Sequence, residues 1–162
     1  MSDHAAMDLG GRRVAAALAS LSTLAWLTGC SLGDATGSEA TQPLGDAVDA
    51  ASSAVATAQL ATDLLVRDRA TATVVDTTLL DQVHVLDEST FALITALPGD
   101  ADSIRLRAEA IRAVADAQIA VADARSWTNS TRTSAARAAG VSASLDRSAT
   151  ALEDVSTAIE AS

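Results

Sequence analysis

The chain predicts an all-α protein, an antiparallel four-helix bundle, and three observations carry that expectation. Apolar residues make up 49% of the sequence with alanine dominant and aromatics at only 2%, and Ala has the highest intrinsic helix propensity. Two prolines and eight glycines are the only strong breakers in 162 residues, so the helices are long. Beyond residue 43, apolar and small side chains return at spacings of four and three. That is the seam of helices packing at a shallow angle.

The elements follow in order. Residues 31–43, small, polar and without periodicity, read as a flexible tether. With Cys30 they form segment 30–43, ahead of a bundle domain at 44–162. Pro43 and Asp46 provide helix-start chemistry, because Pro is tolerated in a first turn and a carboxylate there accepts free amides. The first helix, 44–67, carries the seam Leu44, Val48, Ala51, Val55, Ala58, Thr62, Leu65. The second, 73–97, carries Val75, Leu79, Gln82, Leu86, Ser89, Leu93, Ala96.

No Gly or Pro lies between these two helices. A turn is expected there because Thr is poor inside helices and Thr73-x-x-Asp76 resembles a capping box. Pro98-Gly99-Asp100 stops the second helix, and Asp100, Asp102 or Ser103 can cap the third, 102–126. Its seam passes through Ile104, Ile111, Val114 and Val121. Residues 126–132 read as a loop before the fourth helix, 133–160, whose seam is Val141, Leu145, Ser148, Leu152, Val155, Ile159. Helices of about 25 residues are roughly 37 Å long.

An internal comparison suggests that a helical hairpin was duplicated. Residues 54–61, Ala-Val-Ala-Thr-Ala-Gln-Leu-Ala, match 113–120, Ala-Val-Ala-Asp-Ala-Gln-Ile-Ala, at an offset of 59. Residues 86–93, Leu-Asp-Glu-Ser-Thr-Phe-Ala-Leu, match 145–152, Leu-Asp-Arg-Ser-Ala-Thr-Ala-Leu, at the same offset. Ala-rich segments match by accident, so the informative identities are Val, Gln, Leu, Asp and Ser.

The N-terminal segment has the build of an export signal. Arg12-Arg13 precede an uncharged apolar stretch, Val14 to Leu27, which as a helix of about 21 Å is too short for a hydrocarbon core of ~30 Å. It ends in Leu27-Thr28-Gly29-Cys30, which resembles the lipobox of bacterial lipoproteins: an apolar residue, two small ones, then Cys. The resemblance covers residues 1–30. It implies that a diacylglycerol is attached to the Cys30 thiol and that residues 1–29 are cleaved at Gly29-Cys30. The mature chain is then lipid-anchored to the bacterial cell membrane on its extracytoplasmic side. Cys30 is the only Cys, so no intramolecular disulfide is open to the chain. Arg12-Arg13 also hint at twin-arginine export, but Val14-Ala15-Ala16 lack the bulky apolar residues of that pattern, and the unfolded-chain route is expected.

Formal net charge is −10, and it stays there without the leader, which removes two acids and two bases. Such a chain lacks the electrostatic footprint of a nucleic-acid binder. Candidate chemistry is sparse. Asp81, His84 and Glu88 share one helical face, but di-iron bundles repeat a Glu-x-x-His pair that occurs here once, with Asp for Glu. No metal or other cofactor beyond the lipid is expected. Nothing resembles a nucleophile beside its base, so no enzymatic activity is expected. The segment 124–145 stands apart. It holds Arg125, Arg132 and Arg137 around Trp127 with no acidic residue, and Trp and Arg often dominate interfaces. The alternative reading has Trp127 closing the bundle end while the arginines neutralise acidic neighbours. The expected function is an interaction or scaffolding module of the cell envelope, with a protein partner; the alternative is a small-ligand or metal carrier using the bundle core.

Overall fold

A computed structural model describes residues 38–130 and 134–162. Four helices follow one another in this part: α1 (Ser38–Val66), α2 (Ala72–Thr95), α3 (Ala101–Thr128) and α4 (Ala135–Glu160). Each packs on the next, α4 closes against α1, and α1 also touches α3 across the bundle diagonal. The fold is the antiparallel four-helix bundle that the periodicity predicts.

Seam positions largely occupy the core. Leu44, Val48, Ala51, Val55, Ala58 and Thr62 of α1 are buried, as are Val75, Leu79, Leu86, Ser89 and Leu93 of α2. All six seam positions of α4 are buried. Helix α3 departs from expectation at one place: Ile104 is 53% exposed, and the buried face instead runs through Leu106, Ala110, Ala113, Ala117, Ala120 and Ala124. The expected seam did place Val114 and Val121 in the core, where both are fully buried, but the apolar-only pattern missed the alanines of this face, which are uninformative in a chain rich in Ala.

Those alanines shape the bundle. Helix α1 contributes Ala47, Ala51, Ala54, Ala58 and Ala61 to the core, opposite the alanines of α3, whereas α2 and α4 contribute chiefly Leu, Val and Ile. Small side chains let two backbones approach, while large ones hold them apart. Accordingly α1 meets α3, but α2 and α4 do not meet among the described residues.

The ends of the elements differ from the expected ones in instructive ways. Helix α1 begins at Ser38 rather than 44, and Pro43 lies inside it, so the expected tether 30–43 overlaps the first helical residues. Its end is set by Asp68, whose φ of 55° is left-handed. The Asp68 N–H bonds Leu65 O at 3.1 Å and the Arg69 N–H bonds Leu64 O at 2.8 Å. This is the Schellman closure usually built on Gly, here on a residue whose short polar side chain tolerates the conformation. The N-cap of α2 is Thr71, not Thr73; its side chain accepts from the Val74 N–H. Asp100 caps α3 by accepting from the Ser103 N–H at 2.7 Å. Helix α3 continues two residues past its expected end at 126, because Trp127 and Thr128 are buried and packing favours another half turn.

The sequence match at the offset of 59 has a counterpart in three dimensions. Buried positions pair at the offset of 59: Ala51 with Ala110, Val55 with Val114, Ala58 with Ala117, Leu86 with Leu145, Ser89 with Ser148, Leu93 with Leu152. Two hydrogen bonds between the helices repeat with it. Gln59 Nε2 donates to Asp146 Oδ1 at 2.8 Å, and Gln118 Nε2 donates to Asp87 Oδ1 at 2.8 Å. Each Gln of one hairpin or its repeat reaches the Asp of the other, the reciprocal contact that defines a two-fold interface.

Candidate functional site

Gly29 and Cys30, the expected cleavage and lipidation site, lie outside the described residues. The structure does place most of the segment around Trp127, at the bundle end where α3 stops. Trp127 sits in the last turn of α3 with 3% exposure. It is a core residue closing that end rather than a surface anchor, because its ring supplies the bulk that the surrounding alanines lack. Its indole N–H, although buried, has no hydrogen-bond partner among the described residues.

Arg125 is half-buried and committed within the fold. Its Nε donates to Asp76 Oδ1 at 2.8 Å, and Asn129 Nδ2 donates to the same oxygen at 2.6 Å. The Arg125 guanidinium, and after it the Asn129 amide, hold the Asp76 carboxyl below the usual aspartate value. The cluster ties the start of α2 to the end of α3. Arg137 is exposed in the first turn of α4, where its backbone N–H bonds the capping Ser134 Oγ at 3.2 Å. Arg132 lies outside the described residues. The expected patch of Arg125, Trp127, Arg132 and Arg137 is therefore not one surface: Trp127 faces the core, Arg125 is paired, and Arg137 alone of the described three is open to solvent.

Asp81, His84 and Glu88 are all exposed on α2. Among the described residues, no three His, Cys, Asp or Glu side chains come together as a metal site.

One concavity lies between α1 and α4. It has a volume of about 290 Å³ and is lined by Gln59, Thr62, Val66, Ala138, Ala139 and Leu145 among others. Ala138 and Ala139 correspond at the offset of 59 to Leu79 and Leu80, which carry larger side chains in the other half. Of its polar lining groups, Thr62 Oγ1 is bonded to Ala58 O, and Asp63 is paired with Arg67 at 2.9 Å.

Sequence reasoning missed Asp76 as the acceptor shared by Arg125 and Asn129, since 49 and 53 residues separate it from them. No pattern signals such a pairing. Neither a scan against family models nor searches of the curated proteins and the solved structures find a match to this chain.

Proposed function

We propose that the chain is a bacterial lipoprotein anchored through Cys30 on the outer face of the cell membrane, and that its bundle serves there as an interaction or scaffolding module. The observation that carries this reading is Leu27-Thr28-Gly29-Cys30 at the end of an apolar stretch preceded by Arg12-Arg13. No helix among the described residues is long and apolar enough to cross a membrane. Attachment then rests on the acyl chains, and two chains on one residue hold a protein stably where one is marginal. The experiment is expression of the full chain in a bacterium, with fractionation and intact mass. The membrane fraction is expected to hold a chain starting at Cys30 with diacylglycerol added, and Cys30→Ser is expected to leave that fraction. A Cys30→Ser chain that fractionates unchanged would overturn the anchor.

The module itself is tested in cells by a photoreactive residue at Arg137, which is exposed, with Asp116 as control. A protein adduct specific to position 137 supports an interaction module; no adduct at either position, with the anchor intact, counts against it. The concavity between α1 and α4 favours a second reading, a carrier of a small apolar ligand. Its volume is near the lower end of ligand pockets. A ligand of that kind raises the melting temperature by mass action, and a screen of small apolar compounds without any shift would dismiss it.

A further inference from the structure

Four large apolar side chains stand exposed around the α2–α3 turn: Phe91 at 69%, Ile94 at 58%, Leu97 at 89% and Ile104 at 53%. All four fall between residues 91 and 104, which span the end of α2, the α2–α3 turn and the first turn of α3. Phe91 and Ile94 are one turn apart on α2, and Arg107 of α3 donates to Ala96 O at 2.8 Å, which holds the two helices together beside Leu97.

The duplication supplies an internal control. At the offset of 59, the counterparts of Phe91, Ile94, Leu97 and Ile104 are Thr150, Glu153, Ser156 and Gly45. The same bundle thus folds with polar or small residues at the equivalent places. Packing does not require the apolar ones. Single exposed apolar residues are ordinary, but a contiguous group is a mark of contact with something else.

The chain's course indicates what that is. A cavity lined jointly by Thr41, Asp100, Asp102, Ala158 and Ala161 shows that the first turns of α1, the α2–α3 turn and the end of α4 lie together. Eight peptide steps separate Cys30 from Ser38, a span of at most about 29 Å. With lipid on Cys30, the end of the bundle that carries the apolar edge is the end held near the bilayer.

We infer that Phe91, Ile94, Leu97 and Ile104 form a membrane-contact edge that rests in the lipid interface and sets the orientation of the bundle. The inference rests on the anchor proposed above. Asp100 and Asp102 border the edge, so it suits a zwitterionic lipid surface, and anionic headgroups oppose it.

The test uses the full chain, lipidated and reconstituted into phosphatidylcholine vesicles. An environment-sensitive fluorophore is placed at I94C or at its counterpart E153C, with the Cys30 lipid verified by intact mass and attachment by flotation. Nitroxide groups within the bilayer are expected to quench the probe at position 94 at least about threefold more than the probe at 153. Adding F91T and L97S, both at exposed positions, is expected to abolish that difference while flotation persists. Equal quenching at 94 and 153 on floating, lipidated protein overturns the membrane-contact edge and leaves the anchor standing. A probe at 94 shielded by a second copy, seen as crosslinked dimer without lipid quenching, also overturns it. Absence of lipid on Cys30 refutes the anchor and, with it, this inference.

Discussion

Trp127 offers the sharpest test of how the bundle end is held. Replacing it with Ala removes the largest core side chain from a helix whose other buried residues are half Ala. Large-to-small changes of this kind cost about 3–5 kcal/mol, against a total stability of about 5–15 kcal/mol for a domain. Trp127→Phe separates two contributions. It gives up part of the buried ring but also removes an indole N–H that has no partner among the described residues, and such a group costs about 1–3 kcal/mol when buried unsatisfied. The two effects oppose each other, so Trp127→Phe is expected within about 1.5 kcal/mol of the parent. The assay is urea unfolding of a chain lacking residues 1–30, in which Trp127 is the sole Trp and its emission reports the parent; far-UV circular dichroism follows the parent, Trp127→Ala and Trp127→Phe alike. If Trp127→Ala shifts stability by less than about 1 kcal/mol, the ring does not close the core. A Phe variant as damaged as the Ala variant would show that the N–H is well bonded after all.

Three further outcomes are expected. Gly140 lies inside α4 with open space where a Cβ would stand, so Gly140→Ala should stabilise by about 0.8–1 kcal/mol of helix propensity, read as a higher melting temperature. Asp68→Gly should also raise it, by up to about 1 kcal/mol, because Gly takes the left-handed conformation at φ 55° without steric cost, whereas Asp68→Val should lower it. Asp76 and Asp100 both have carboxyls held below the usual aspartate value, Asp76 first by Arg125 and Asp100 by the Ser103 N–H. Their stabilisation is therefore present above the unfolded value and lost as pH falls through the lowered folded values. Unfolding scans from pH 7 down to about 2 should show stability falling below about pH 4, less steeply in Arg125→Met, and an unchanged slope in that variant would deny the link.

What could be read along the chain was whatever local physics repeats. The three-and-four spacing in 141–159 placed every α4 core residue correctly, because Val, Leu and Ile there stand out from polar neighbours. The matched windows around Gln59 and Gln118, and around Asp87 and Asp146, pointed to two copies of a hairpin. Asp100 and Ser103 were legible as a cap because capping is decided within four residues. The lipobox-like Leu27-Thr28-Gly29-Cys30 is likewise a local signal, and it is the basis of the proposed anchor.

Only the tertiary structure decided how the copies meet. Gln59 and Asp146 are 87 residues apart, and no periodicity states that each Gln crosses to the other copy's Asp. The same holds for Trp127. As a string of letters, Arg125, Trp127, Arg132 and Arg137 formed a basic, aromatic stretch. In the fold, α3 runs on to Thr128 and turns Trp127 inward, while Asp76 of α2 takes Arg125. The helix end at Asp68 was hidden for another reason: a left-handed residue is expected to be Gly, although the hydrogen bonds from Asp68 and Arg69 that close the turn reach only three and five residues back. Burial depends on what faces a residue across the bundle, and that partner is set by the packing of the whole chain rather than by its neighbours in sequence.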